Sequence, residues 1–215
     1  MRSKRIFKDF FCTLDLIKYS MITTTFMWQN KDEADYSIEY FNLTSENGIN
    51  TMKGTVILLL DQVPILVYYE IVSDKYWKTR SIKISQQMPD NKNMSIDLRV
   101  SREQIWREYD TYTSSPRSTI IDFVSGLYDV DLQVTPSTNS LPINRLRLKE
   151  GESRKIDVVW IGFPGLTLDR REQKYSRVNN RHYKFEIPST GFRAQLEVDK
   201  LGFVINYDTL WQRLN

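Results

Sequence analysis

One cysteine, Cys12, leaves no partner for an intrachain disulfide and excludes a multi-cysteine zinc or iron–sulfur site. One histidine, His182, is equally restrictive: it lies in NNRHYKFE, at the start of a strand-like stretch, with no G-x-S-x-G nucleophile signature to serve. No metal site and no cofactor is expected. Long hydrophobic runs are missing too. The strongest, Val56 to Leu60, is stopped by Asp61 and is strand-sized, far short of the roughly 20 residues that span a bilayer as a helix. There is no strong charge of one sign: 30 Lys+Arg against 27 Asp+Glu give +3. The first twenty residues alone hold five basic and two acidic groups, so the remaining 195 are balanced at 25 against 25. A balanced body argues against extensive nucleic-acid binding, which calls for a basic face.

The first twenty residues form a leader of their own kind. Its basic start resembles a signal peptide, but Asp9, Asp15 and Lys18 interrupt the apolar stretch and no small-x-small cleavage site follows. At helical period Ile6, Phe7, Phe10, Leu14, Ile17 and Met21 share one face. Residues 4–18 therefore suit peripheral contact with an anionic membrane surface as well as a helix docked on its own domain. The expected address is the cytoplasm or the inner membrane face.

Residues 21–215 read as a single mainly β domain. Of the chain's 27 aromatic residues 23 lie here, among Ile and Val in short runs divided by turn clusters, without repeats or a linker. Ser37 to Leu43 and Thr51 to Leu60 flank SENGIN, whose Asn47-Gly48 pair marks a tight hairpin. Further strands are expected over Ile65 to Val72, Trp77 to Ser85, Met94 to Val100, Leu141 to Leu148, Ile156 to Phe163, Leu166 to Leu168 and His182 to Ile187. The stretch from Glu103 to Tyr109 reads as a short helix or as the first of two strands around a Ser-Pro turn. Phe192, Ala194, Leu196 and Val198 alternate with Arg193, Gln195 and Glu197, and Asp199 to Gly202 turns the chain into Phe203 to Tyr207. So many hairpin-spaced strands predict a large curled antiparallel sheet whose inner surface is filled by side chains or by a ligand.

Asp129 and Asp131 in YDVDL project to one side of a strand, where they could share a cation, divide acid and base roles, or pair with Arg145 and Arg147. TPSTNSLPINRL follows, rich in groups that hold a loop rigid: Pro136 and Pro142 fix dihedrals, while Thr135, Thr138, Asn139 and Ser140 bond to backbone. Asn139, Asn144 and Arg145 are suitable partners for sugar hydroxyls or a phosphate, and the same loop would also serve as a folding corner. Between Arg145 and Lys184 eleven Lys/Arg face five Asp/Glu, but strand alternation would scatter them over both faces.

Around DVDLQVTPSTNSLPINRL the chain resembles the bacterial glycolipid-binding family, whose pattern runs D-V-D-L and T-P-x-T-N-T-L-P-I-R-R-L. The likeness extends through YYEIVSDKYWKTRSIKI, VWIGFPGLTLDRREQKYSRV, HYKFE and GFRAQLEVDKLGFVINYDTLWQRL, from about Met27 to Leu214. The leader lies outside it, which fits a start at Met21. The resemblance implies a single-domain spiral beta-roll with few short helices. Its pattern selects Trp77, Thr79, Arg80, Asp129, Asp131, Thr135, Pro136, Thr138, Asn139, Leu141, Pro142, Arg145, Gln173 and Tyr175. The chain departs with Ser137 where Phe is common, Ser140 for Thr, and Asn144 where Arg is common. Losing that Arg weakens the grip on an anionic head and leaves a neutral sugar at Asn144. The resulting expectation is non-enzymatic binding of a glycolipid or other amphiphile, acyl chains on a concave apolar face, with Trp77, Arg80, Asp129, Asp131, Thr138, Asn139, Asn144, Arg145 and Tyr175 as ligand-binding residues. The alternatives are a hydrolase or isomerase using Asp129 and Asp131, and a structural interaction domain.

Overall fold

A computed structural model describes residues 21–31, 36–110 and 117–215. The expected leader contact through residues 4–18 lies outside these described residues. Strands β1 (Ile22–Asn30), β2 (Ser37–Glu46), β3 (Ile49–Leu60), β4 (Val63–Asp74), β5 (Thr79–Gln87), β6 (Met94–Val100), β7 (Trp106–Asp110) and β8 (Arg117–Ile120) follow one another as a meander. After β9 (Asp129–Leu132) come a 3-10 turn over Ser137–Asn139 and the helix α1 (Ser140–Leu146). The second meander is β10 (Ser153–Gly162), β11 (Thr167–Arg177), β12 (His182–Ile187), β13 (Phe192–Val198), β14 (Val204–Tyr207) and β15 (Trp211–Arg213).

All fifteen strands join one mixed sheet in the order β8-β7-β6-β5-β4-β3-β2-β1-β15-β14-β13-β12-β11-β10-β9. Every pairing is antiparallel except β9 with β10, which is parallel. Two meanders, β1–β8 and β10–β15, thus form two wings joined where β1 meets β15, Trp28 opposite Arg213 and Asn30 opposite Trp211. The domain is mainly β, with one short α-helix among the described residues.

Period-two patterning builds the wings. In β3 Met52, Gly54, Val56 and Leu58 are buried while Lys53 and Ile57 are exposed, and β4 repeats this with Ile65, Val67, Tyr69 and Ile71. The Asn47-Gly48 turn has positive φ at both residues (53° and 76°), the backbone a two-residue hairpin requires. Asp61-Gln62 closes the next hairpin the same way (49° and 65°) without a glycine. The central core is aromatic: Phe41 lies 5.2 Å from both Trp28 and Phe203, ring centroid to centroid, and the Trp28 indole N–H donates to the Val204 carbonyl at 2.8 Å.

Three expectations change. Leu141 to Leu148 is not a strand: Ser140–Leu146 is helical, with Pro142 in the first turn, where a missing N–H costs nothing, and Arg147 ending the helix at φ 47°. Its apolar residues Leu141, Pro142 and Ile143 are all buried. Thr167–Arg177 is one long strand where only Leu166 to Leu168 was expected, because its buried positions are Gln173 and Tyr175 rather than aliphatic residues. The 103–109 stretch takes the strand alternative, as β7 with β8 beside it.

Candidate functional site

The segment from β9 through α1 lies against the inner faces of both wings, and its polar side chains are what meet them. On one side Glu39 of β2, fully buried, accepts hydrogen bonds from Tyr69 Oη of β4 and Thr135 Oγ1. Ser137 Oγ lies 2.7 Å from Tyr69 Oη and 2.9 Å from Thr135 Oγ1. Burial raises the Glu39 carboxyl to about 7, against the opposing pull of the Thr135 and Tyr69 hydroxyls. Tyr69 has room because its partner on β3 is Gly54, where any Cβ would collide with the phenol ring.

On the other side Tyr175 Oη of β11 donates to Asn139 Oδ1 at 2.8 Å, and Asn139 Nδ2 donates to the Pro136 carbonyl at 3.2 Å. Asp131 accepts from Gln173 Nε2 at 2.6 Å and from Thr138 Oγ1 at 3.2 Å. Burial raises its carboxyl above the usual carboxylate range, opposed by those two donors and by Arg171. Beside this cluster is a groove of about 380 Å³. The short β12–β13 hairpin ends at Ile187 and Phe192, whereas β11 continues past it, which leaves the inner side of Trp160 and Arg171 uncovered. Asp131, Thr135 and Asn139 supply polar groups, and Trp160, Phe185, Ile187, Phe192, Tyr207, Leu210 and Trp211 the apolar walls. The Arg171 guanidinium lies 3.2 Å from the centroid of the Trp160 ring, and a nitrogen of it 3.3 Å from Asp169.

The expected ligand-binding residues are divided between two places. Asp131, Thr138, Asn139 and Tyr175 belong to the cluster just described, and of these Asp131 and Asn139 line the groove. The remainder brace the fold elsewhere. Asp129, fully buried, is held by the Arg145 guanidinium through Nε and Nη2, and burial raises its carboxyl while Arg145 opposes that. Arg145 also lies 5.3 Å from the Tyr128 ring. Asn144 Nδ2 donates to Ser140 O (2.9 Å) and Leu201 O (2.8 Å), tying α1 to the β13–β14 turn. Arg80 bonds Asp74 at 2.6 Å and Ser101 O at 3.2 Å, and Trp77 packs edge-on against Phe203 at 6.2 Å. Asp129 and Asp131 therefore share a strand but not a cleft. Of the basic stretch from Arg145 to Lys184, Lys155, Arg170, Arg171 and Lys174 are ion-paired with acids of the same or a neighbouring strand, and Arg181, in the turn before β12, with Glu197 of β13.

Sequence reasoning missed Glu39, Trp160, Arg171 and the aromatic walls. Glu39 did carry a signal: it is in phase with Ser37, Phe41 and Leu43, the buried positions of β2. Among the described residues no group of three or more His, Cys, Asp or Glu is placed to hold a metal ion, and no helix is long and apolar enough to cross a membrane.

Fold and site together define a large single-sheet β domain with a polar segment and an aromatic groove on its inner face. A sequence profile of the family described as "Putative glycolipid-binding" matches residues 25–213, and the chain belongs to that family. A crystal structure of a DUF1089 family protein from Pseudomonas aeruginosa is similar in fold, with a TM-score of 0.71 and 24% identity over 85% of this chain and 94% of that one. No curated protein matches the chain.

Proposed function

We propose that the protein binds a glycolipid or related amphiphile without transforming it, with the polar head seated in the groove beside Asp131 and Asn139. The carrying observation is the lining itself: Trp160, Phe192, Tyr207 and Trp211 around one carboxylate, Asp131, and two amides, Gln133 and Asn139. A sugar ring has apolar C–H faces that pack on aromatic rings and hydroxyls that donate to carboxylate and amide oxygens. The two charged residues of the lining, Asp131 and Arg171, are opposite in sign, so an uncharged head is favoured over a polyanionic one. The family's description points the same way. Under this reading the two wings curl as a spiral roll about the 135–146 segment, which is supported by its hydrogen bonds to β2, β4 and β11. The cytoplasm, or the inner membrane face, is the compartment of the same proposal.

The test is a titration of tryptophan fluorescence with detergent-dispersed bacterial glycolipids and, in parallel, phospholipids. Saturable binding of a glycolipid, weakened about tenfold or more by Asp131→Asn through loss of charge-assisted hydrogen bonds, is the expected result. Binding by no member of the panel, or binding indifferent to Asp131→Asn, would overturn the proposal.

A further inference from the structure

We infer that the groove takes the head of the amphiphile alone and that its acyl chains stay outside the protein, in the bilayer, so that the protein reads lipid heads at a membrane surface instead of carrying lipids through water. The inference rests on the reading above and departs from the expectation of acyl chains on a concave apolar face. Its first support is space. The groove, about 380 Å³, is near the bottom of the roughly 300–1,000 Å³ range of small-molecule sites. A groove of that size suits a single sugar head better than a head together with its acyl chains.

The second support is what occupies the inner face. Where an acyl chain would lie along it, the protein's own chain lies: Ser137, Thr138, Ser140 and Leu141 are all at 0–1% exposure. Ser140 Oγ approaches Met52 Sδ of β3 at 3.9 Å while Asn139 is bonded to Tyr175 of β11, so this segment bridges the two wings. A chain could enter there only by expelling a segment whose hydrogen bonds are satisfied on both sides.

The third support is the outer part of the groove: Thr135 and Asn139 are deep, together with Phe185, Tyr207 and Trp211, whereas Ile187, Phe192 and Leu210 are only partly buried. A head inserted to the floor would leave its glycerol or sphingoid linkage passing these three side chains, which then rest against the boundary of the bilayer.

The experiment uses the full chain, vesicles of a total bacterial lipid extract, and the water-soluble heads released from that extract by deacylation. The expected result is binding to the vesicles that the free heads compete away. Protein recovered from the vesicles should carry no stoichiometric lipid in native mass spectrometry. Ile187→Ser, outside the aromatic set that holds the sugar, should weaken vesicle binding about tenfold, the loss of one aliphatic contact, and should weaken binding of the free heads several-fold less. Recovery of intact lipid at near-stoichiometric occupancy, or vesicle binding untouched by the free heads, would overturn the inference and leave the glycolipid reading standing. Failure to bind either vesicles or heads would overturn both.

Discussion

Glu39 is a carboxylic acid that the fold prefers neutral. Its carboxyl is raised to about 7 by burial, and the groups that face it are hydroxyls: Tyr69 from β4, Thr135 from the loop after β9, and Ser137 behind them. A folded-state value above the ordinary 4.5 means that the protonated form is the one the fold stabilises. The contribution is whole below about pH 4.5 and is lost as pH rises through 7; Asp129 and Asp131, also raised, add in the same direction. Thermal stability should therefore fall from pH 5 to pH 8. Glu39→Gln, neutral at both, should match the wild type at pH 5 and exceed it at pH 8 by up to ~3 kcal/mol, the free energy equivalent of the shift. Parallel melting curves at the two pH values decide the matter. An unchanged pH slope in the variant would assign the dependence elsewhere.

At the scale of elements, the decisive contact is that of α1 with the β13–β14 turn. Asn144 Nδ2 reaches the Leu201 carbonyl only because Gly202, at φ 80°, has no Cβ: one built there would lie 2.6 Å from that nitrogen. Gly202→Ala should destabilise the protein by roughly 2–3 kcal/mol, combining left-handed strain with displacement of Asn144. Denaturant unfolding checks this, and Gly151→Ala is the control, because its φ is equally positive (81°) and its Cβ would meet nothing within 4 Å. The alternating Phe192 to Val198 strand and the Asn47-Gly48 hairpin were legible in the sequence because each depends on neighbours close along the chain. The helix at Ser140–Leu146 was not, since seven residues with a proline offer too little helical period to outweigh the two-residue spacing of Leu141 with Ile143 and of Leu146 with Leu148. The buried polar cluster was legible in part. Asp131, Thr138, Asn139 and Tyr175 were singled out, while Glu39 was hidden because its partner Thr135 is 96 residues away.

For the whole molecule the seam between β1 and β15 is where the two wings join. It consists of three residue pairs, extended by hydrogen bonds from Leu214 N to Met27 O and from Met27 N to Asn215 Oδ1, both at 2.8 Å. Yet Trp28, wholly buried, and Trp211 lie on it. Ending the chain after Tyr207 removes β15 and opens both the β1 and β14 edges. The shortened chain should lose its cooperative melting transition and associate, since each opened edge offers unpaired backbone to other chains. Size-exclusion chromatography beside a melting curve measures both properties. A monomer that melts within a few degrees of the full chain would mean that the wings hold together through the 135–146 segment alone.

The same seam bears on how the protein is made. During synthesis the β1–β8 meander can assemble hairpin by hairpin as it leaves the ribosome, because each strand pairs with the one just before it. The open side of β1 has no partner in β15 until Trp211–Arg213 emerges, about 180 residues later. Throughout that interval the nascent chain therefore displays β1 with its β15-facing edge uncovered. That interval, rather than any weakness of the finished fold, is when the protein is most in need of a chaperone.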